Sequence, residues 1–153
     1  MYKQWRSTDS IKKRFINPDG RFVVTEKLHG ANFQIWTDIK DGQVVVRYGS
    51  RHQILDDKAT FFNYKDIIAV YSSAIDALTR FAKERGVSVN VYGELCGDHV
   101  FNRVRYPKGF YAFAVIIDGV EIPYTEWQPL LSEMGFDIVP VIGTNMSLED
   151  ILS

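Results

Sequence analysis

The chain has 153 residues, of which 46% are hydrophobic and 14% aromatic, and this suits one globular domain with a sizeable core. A net charge of −1 excludes nucleic-acid binding through overall charge, so any such binding must use a local basic surface. The single cysteine, Cys96, excludes an internal disulfide and fits a reducing cytoplasm. The longest apolar run, residues 112–117, is too short to span a membrane, and the N-terminus lacks the apolar core of a signal peptide. We therefore expect one soluble, cytoplasmic domain over residues 1–153.

Turn and cap residues divide the first 60 residues into one short helix and three strands. A strong turn sequence, Asn-Pro-Asp-Gly at residues 17–20, separates the helix from the first strand. Asp41-Gly42 is a hairpin sequence that joins the second and third strands. The predicted elements are a helix at 7–15, strands at 21–26, 31–39 and 43–48, and a polar loop at 49–58.

From residue 65 to residue 85 the apolar side chains follow the period of a helix, which Gly86 ends. Hairpins and further helices follow, so the outline is an α+β domain with a mainly antiparallel sheet and helices packed on it. The apolar stripe consists of Ile67, Tyr71, Ala74, Ile75, Leu78, Phe81 and Ala82. Asp118-Gly119 is the predicted turn between the strands at 110–117 and 120–122. The later predicted elements are strands at 87–95, 110–117, 120–122 and 137–141, a loop at 97–108, a helix at 124–134 and a helical turn at 148–152.

A candidate nucleophile, Lys27, lies between two β-type segments, with Gly30 three residues after it. A lysine must be neutral to attack an electrophile, and its reference pKa near 10.4 makes deprotonation at pH 7 cost about 4–5 kcal/mol. Nearby cations, a metal ion or partial burial can lower that cost. Gly30 would let the backbone approach a bound ligand closely. The alternative is an exposed lysine at a strand end, because a short K-x-x-G motif matches by chance.

Three further clusters place polar or aromatic side chains beside predicted strands. The segment Arg47-Tyr48-Gly49-Ser50-Arg51 ends the hairpin that returns from the lysine turn. Glu94 follows a buried strand and stands between two glycines, and Phe113 lies within the apolar strand at 110–117. The loop before that strand carries Arg103, Arg105 and Lys108.

Each of these side chains also has a purely structural interpretation. Arg51 can be a solvated loop arginine, and Glu94 can cap a helix or pair with an arginine. Phe113 can simply belong to the core. The loop cations, and Lys12, Lys13 and Arg14 on the outer face of the first predicted helix, can be solubilising charge.

In their order and spacing, the four clusters resemble those of the ATP-dependent RNA ligases of the phage RNA-repair and RNA-editing type, within the covalent nucleotidyltransferase superfamily. The resemblance extends from about Arg21 to the C-terminus. DNA ligases usually carry aspartate where this chain has His29, which favours RNA. The resemblance implies a nucleotidyltransferase (ATP-grasp-like ligase adenylation) domain, truncated at its C-terminus.

The resemblance also implies a mechanism. Neutral Lys27 would attack the α-phosphate of ATP, AMP would pass from Lys27 to an RNA 5′-phosphate, and an RNA 3′-hydroxyl would displace it, with Mg²⁺ screening the phosphates. The family commonly has an acidic residue where this chain has Ala114. The resemblance implies that Glu26 helps to select the base, that Gly30 lets the backbone approach the ligand closely, and that His29 lies near the pyrophosphate. It implies that Asn32 lies near the reacting phosphate or RNA end, and that Glu94 and Arg51 (or Arg47) hold the ribose. Phe113 would stack on the adenine, and RNA would be contacted by Arg103, Arg105 and Lys108.

Two late motifs of the family, a glutamate in an E-G-x-V context and a K-x-K lysine pair, do not occur in these 153 residues. Three explanations stay open: the chain is part of a longer ligase, a second chain or segment completes the site, or it is a short relative that binds nucleotide or RNA without ligating. The expected partners are RNA ends or a nicked duplex, with no membrane. A phage-encoded protein expressed in a host cell fits this expectation.

Overall fold

The computed structural model of the protein describes residues 2, 21–25, 31–50, 54–55, 64–96, 100–101, 104–105, 108–139 and 141–147. The predicted helices at 7–15 and 148–152 and the turn at 17–20 lie outside these ranges. The described elements, in chain order, are β1 (Arg21–Thr25), β2 (Ala31–Lys40), β3 (Gln43–Ser50), β4 (Ile54–Leu55), α1 (Tyr64–Val70), α2 (Ser72–Arg85), β5 (Val89–Cys96), β6 (Val100–Phe101), β7 (Val104–Arg105), β8 (Gly109–Ile117), β9 (Val120–Glu121), α3 (Tyr124–Met134), β10 (Asp137–Ile138) and β11 (Val141–Ser147).

A seven-stranded sheet organises the domain. Six of its strands run in the order β10-β8-β5-β2-β3-β4, and β9 pairs with β8. Every pairing in this sheet is antiparallel except that of β10 with β8. β1 pairs with β11, and β6 with β7, in two separate antiparallel pairs. The predicted α+β class with a mainly antiparallel sheet is confirmed.

Two tight turns form where the sequence predicts them. Asp41 and Gly42, between β2 and β3, both have positive φ, at 52° and 76°. Asp118 and Gly119, between β8 and β9, repeat this conformation with φ of 47° and 80°. Such turns match the natural twist of paired strands, and Asp-Gly is one of the sequences that adopts them. Both hairpins are therefore determined locally.

One face of the large sheet is buried under the three helices. Phe33 of β2 is fully buried at the centre of this core, and its ring lies within about 6 Å of the rings of Tyr48, Tyr64 and Phe110. The predicted stripe of α1 and α2 belongs to this core, and Leu131 of α3 is buried in the same cluster. The helix at 124–134 is confirmed with its predicted bounds.

The single helix predicted at 65–85 is wrong in one respect, since Tyr71 separates α1 from α2. Tyr71 forms a turn in which its N–H donates to the carbonyl of Ile68 at 2.9 Å. Its hydroxyl donates to Asp137 Oδ2 at 2.6 Å and accepts from the backbone N–H of Phe110 at 3.1 Å. The apolar periodicity continues through the break because Tyr71 is still buried in the core. The sequence pattern alone therefore did not reveal the break.

Other boundaries also differ from the prediction. The polar loop expected at 49–58 contains the end of β3 and the two residues of β4, because Ser50 still pairs with Phe33. The loop expected at 97–108 contains β6 and β7. The strand expected at 137–141 divides into β10 and the start of β11, after Val139 donates its N–H to Ala112 at 3.0 Å.

Tyr71→Phe is expected to destabilise the fold by about 1–3 kcal/mol, because it leaves the buried N–H of Phe110 without its acceptor. Burial, helped by Asp137, raises the pKa of the Tyr71 hydroxyl, so at neutral pH the hydroxyl keeps the proton that it donates to Asp137. The stability that this protonated form contributes is lost only as strongly alkaline pH ionises the hydroxyl. Urea unfolding at pH 7 measures the loss. The matched control is Tyr124→Phe at a half-buried tyrosine, expected to cost under about 0.5 kcal/mol. Equal losses in the two variants would contradict the role given to Tyr71.

Candidate active site

The face of the sheet opposite the helices carries the candidate site. Side chains alternate between the two faces of a strand. In β2, Phe33 and Ile35 enter the helix-covered core, so Asn32, Gln34 and Trp36 point the other way. The same alternation places side chains of β5 and β8 beside them on this second face, which is called the site face below.

Asn32 and Glu94 are direct cross-strand partners on the site face. Directly opposite residues of an antiparallel pair have Cβ atoms about 4.5–5.5 Å apart, so the two side chains act on one small region. Both residues are half-buried, so each keeps some surface exposed to solvent. Glu94 therefore is not a helix cap: it lies within β5, where its neighbour across the sheet is an amide.

Cys96 lies on the same face of β5 as Glu94, and its thiol pKa is affected by burial and by the Glu94 charge. Burial raises the pKa of the Cys96 thiol to about 11, and the negative charge of Glu94 adds to this effect. Cys96 is 2% exposed and carries a proton at neutral pH. The thiol is therefore not a nucleophile of this site.

Phe113 occupies a β-bulge between β5 and β8. Tyr92 pairs with Ala114 and Gly93 pairs with Ala112, so Phe113 is the extra residue of β8. Bulges rotate a side chain away from the regular alternation and are common beside active sites. Gly93 permits this close approach, because a Cβ there would collide with the backbone carbonyl of Tyr111 and would lie 2.7 Å from the ring of Phe110. The glycine before Glu94 thus has a packing reason that the sequence did not reveal.

The Phe113 side chain is half-buried and lines a cleft of about 410 Å³. This volume is large enough for a nucleobase. The cleft lies beside β9 and the start of α3, and Glu121 contributes a carboxylate residue to its wall. Glu121 was not predicted as a site residue from the sequence. Only its position in the hairpin that follows the Phe113 strand could have suggested it. The remaining lining residues are Ala114, Ile122, Pro123, Tyr124 and Trp127.

A buried polar layer continues the site face away from Asn32 and Glu94. Asn90 Nδ2 donates to Gln34 Oε1 at 3.2 Å, and these residues are only 6% and 1% exposed. Tyr92 beside them is fully buried, and burial raises the pKa of its hydroxyl to about 12. This layer was not predicted from the sequence, although polar residues alternate with core residues in β2 and β5 and could have indicated it. A hydrogen-bonded layer of this kind fixes strand register.

The end of β3 distinguishes the two arginine candidates. Arg47 pairs with Asp38, with its Nε 3.8 Å from the Asp38 Oδ2, near the hairpin end of the sheet. Ser50 is the last residue of β3 and lies directly opposite Phe33. Arg51 follows immediately in the sequence but lies outside the described residues.

The structure brings together three of the predicted site residues, Asn32, Glu94 and Phe113, on neighbouring strands. Lys108 is exposed and directly precedes β8, and Arg105 belongs to the short strand β7. Among the described residues, no group of three or more His, Cys, Asp or Glu side chains is placed to hold a metal ion. The described helices include none with the length and apolarity to cross a bilayer. The predicted residues Glu26, Lys27, His29, Gly30, Arg51 and Arg103 lie outside the described residues.

Comparison with known sequences decides the family. The sequence profile of the RNA ligase family matches residues 20–153. The chain belongs to the RNA ligase family. Two relatives are Protein Early 65 kDa of Autographa californica nuclear polyhedrosis virus, 31% identical over 134 residues, and mitochondrial RNA-editing ligase 1 of Trypanosoma brucei brucei, 30% identical over 131 residues. The two alignments cover 80% and 76% of this chain but only 23% and 28% of the respective relatives. This RNA ligase family member therefore spans about a quarter of the length of these relatives.

Solved structures agree on the fold of this RNA ligase family member. A Naegleria gruberi RNA ligase variant with ATP and Mn superimposes with a TM-score of 0.69 at 18% identity, covering 97% of this chain and 47% of that one. A second variant with AMP and Mn gives 0.66, also at 18% identity, covering 89% and 41%. The predicted nucleotidyltransferase fold is confirmed.

Proposed function

We propose that the chain is an RNA ligase-type adenylyltransferase domain that seals RNA ends through a lysyl-AMP intermediate. The observation that carries the proposal is the position of Asn32 opposite Glu94, at the start of the strand that follows the Lys27 motif. A half-buried carboxylate and an amide on adjacent strands form a compact set of hydrogen-bonding groups. Membership of the RNA ligase family gives this set its substrate class.

The relatives support both halves of the reaction. One is named as an RNA-editing ligase, which supports RNA as the polymer that is joined. The similar Naegleria enzyme was solved with ATP and with AMP, each with Mn, which supports ATP as the source of the adenylyl group. Because the chain spans about a quarter of its curated relatives, the complete ligation reaction is part of the proposal.

Lys27 is the proposed nucleophile. Its neutral amine attacks the α-phosphorus of ATP, a phosphoramidate bond forms, and the bond to the leaving pyrophosphate breaks. His29 is assigned to the pyrophosphate and Asn32 to the reacting phosphate or the RNA end. AMP then passes to an RNA 5′-phosphate, and the RNA 3′-hydroxyl attacks that phosphate and releases AMP.

The nucleotide itself is held by groups on β5 and β8. The Glu94 carboxylate is assigned to the two ribose hydroxyls, since a carboxylate can accept two hydrogen bonds at once. Arg51 is assigned to the ribose on the other side, and the pairing of Arg47 with Asp38 supports this choice between the two arginines. Phe113 stacks on the adenine, which its half-buried position beside a base-sized cleft supports. Glu26 helps to select the base.

A divalent metal ion fits these residues. Mg²⁺ is commonly held by substrate phosphates, waters and only one or two carboxylates, so a site of this type needs no dedicated cluster of protein ligands. When bound, Mg²⁺ supplies positive charge that neutralises the phosphates. The chain's own contribution is to orient the triphosphate so that the α-phosphorus faces Lys27.

RNA contacts are assigned to Arg103, Arg105 and Lys108, of which Lys108 is exposed directly before β8. An RNA end placed there would approach the same sheet that carries Glu94 and Phe113. A further segment or a second chain is proposed to complete the site. The proposed location is the cytoplasm.

The second candidate is a module that binds nucleotide or RNA without ligating. The observation that favours it is that Asn32, Glu94 and Phe113 lie on neighbouring strands, because these side chains can hold a nucleotide whether or not Lys27 reacts.

One experiment separates the two candidates. The chain is incubated with ATP and Mg²⁺, or with ATP and Mn²⁺, and its intact mass is measured before and after acid treatment. The adenylyltransferase proposal expects a mass increase of one AMP that acid removes, because a phosphoramidate is acid-labile. Thermal protection by ATP without any adduct would instead support the binding module. The absence of both adduct and protection would contradict both candidates.

A further inference from the structure

Glu121 of β9 lies on the site face. It is directly opposite Ile116 in the pairing of β9 with β8, and directly opposite residues project from the same face of a sheet. Ile116 belongs to the site face, because it packs with Tyr92 and Ala114, which are themselves cross-strand partners. The Glu121 side chain therefore projects from the face that carries Glu94.

Hydrogen bonds on both sides hold the backbone at Glu121. After it, the N–H of Ile122 donates to the carbonyl of Val115 at 2.9 Å. Before it, the turn is tied to the sheet, because the N–H of Asp118 donates to the carbonyl of Ser88 at 2.8 Å. The N–H of Ser88 in turn donates to Asp118 Oδ1 at 2.8 Å. This backbone is ordered before a ligand binds, which lowers the cost of binding.

Two carboxylate residues flank Phe113 along β8. Glu94 lies opposite Tyr111 on one neighbouring strand. Glu121 lies opposite Ile116 on the other, five positions further along β8, which is about 15 Å at the usual rise of a strand. Phe113 lies between these positions and lines the same cleft as Glu121. An adenosine whose ribose is held by Glu94 and whose base stacks on Phe113 therefore extends towards Glu121.

The exocyclic amine is the part of adenine that a carboxylate suits. An ionised carboxylate accepts hydrogen bonds and cannot donate them. The amine at C6 is the hydrogen-bond donor of adenine, whereas guanine and hypoxanthine carry a carbonyl oxygen at that position. A carboxylate at the far end of the cleft therefore attracts the amine and repels the carbonyl oxygen.

We propose that Glu121 is a specificity-determining residue, whose carboxylate accepts a hydrogen bond from the adenine amine and makes the site prefer ATP to nucleotides with a 6-carbonyl group. The proposal rests on the proposed function, in which Phe113 stacks on the adenine. It adds a contact from β9 to the help that Glu26 is assigned in selecting the base.

The test compares the initial rate of adduct formation at low concentrations of ATP and of inosine triphosphate (ITP), its 6-carbonyl counterpart. The wild-type chain is expected to prefer ATP about tenfold or more, the effect of one hydrogen bond to a charged group. In Glu121→Gln the side-chain amide can accept from the ATP amine or donate to the ITP carbonyl. The preference of this variant is therefore expected to fall to about threefold or less, with ITP used better than by the wild type.

Glu126→Gln is the matched control. Glu126 is exposed in the first turn of α3, outside the residues that line the cleft, and this change removes the same charge as Glu121→Gln. Its preference for ATP is expected to equal that of the wild type. Because both glutamates are exposed, both variants are expected to melt at the wild-type temperature without nucleotide. An unchanged preference in Glu121→Gln, or an equal fall in both variants, would overturn the proposal.

Thermal protection separates this proposal from the proposed function. The rise in melting temperature with ATP and with ITP measures the same preference without any chemistry. Protection of the wild type by ATP without an adduct would count against the ligase proposal, while protection of the two variants would still test Glu121. Equal protection by ATP and ITP would overturn the role of Glu121 and leave the lysyl-AMP proposal intact. The absence of both protection and adduct would contradict both.

Discussion

Replacing Lys27 with alanine is expected to abolish the AMP adduct. The proposed mechanism assigns the phosphoramidate bond to Lys27 alone, so the mass increase should vanish rather than shrink. Lys27→Arg is expected to fail as well, because a guanidinium keeps its proton throughout the accessible pH range and cannot act as a neutral nucleophile. Intact-mass measurement with ATP and Mg²⁺ checks both variants.

A lysine from the same sheet provides the control for Lys27. Lys40 is exposed at the far end of β2, and Lys40→Ala is expected to form the adduct at the wild-type rate. The rate in the wild-type chain should also rise with pH, because a higher pH increases the neutral fraction of a lysine whose reference pKa is near 10.4. An adduct that persists in Lys27→Ala, or that maps to another lysine, would contradict the assignment.

Gly93→Ala is expected to destabilise the fold by about 3 kcal/mol. The new Cβ would collide with the backbone carbonyl of Tyr111. It would also lie 2.7 Å from the ring of Phe110, which is fully buried, packs against other aromatic rings and has little room to move. Relief requires β5 and β8 to move apart at the bulge. Urea unfolding measures the loss, and weaker thermal protection by ATP would show that the site is disturbed too.

Two comparisons make the Gly93 prediction specific. Gly42→Ala places a Cβ in open space at a φ of 76°, so it is expected to cost only about 1 kcal/mol from backbone strain. Phe110→Leu removes part of the opposing ring but leaves the Tyr111 carbonyl in place, so the double variant is expected to recover only part of the Gly93→Ala loss. A Gly93→Ala loss no larger than that of Gly42→Ala would contradict the packing explanation.

The sequence predicted the features that depend on local chemistry. The Asp41-Gly42 and Asp118-Gly119 hairpins formed as expected because their residues adopt positive φ readily. The order of clusters around Lys27, Arg51, Glu94 and Phe113 led to the right family, which the match over residues 20–153 confirms. The roles of these four residues stay predictions.

The features that the sequence did not predict depend on distant contacts. The break at Tyr71 is associated with its hydrogen bonds to Asp137 and to the Phe110 backbone, and apolar periodicity carries no information about either partner. The bulge at Phe113 depends on the absence of a side chain at Gly93, a residue of another strand. The residue pattern of one strand carries no information about which residues of another strand lie opposite it.

The sheet order has a consequence for folding. β2, β5 and β8 are neighbours in space, yet both α1 and α2 separate β2 from β5 in the chain. Non-local strand pairings form slowly, because each one closes a long loop before any contact compensates the lost chain entropy. During synthesis the Lys27 segment leaves the ribosome well before the strands that carry Glu94 and Phe113. In the proposed function, a nascent chain therefore carries Lys27 before it has the strands assigned to the nucleotide, and ATP binding is expected only after β8 has joined the sheet.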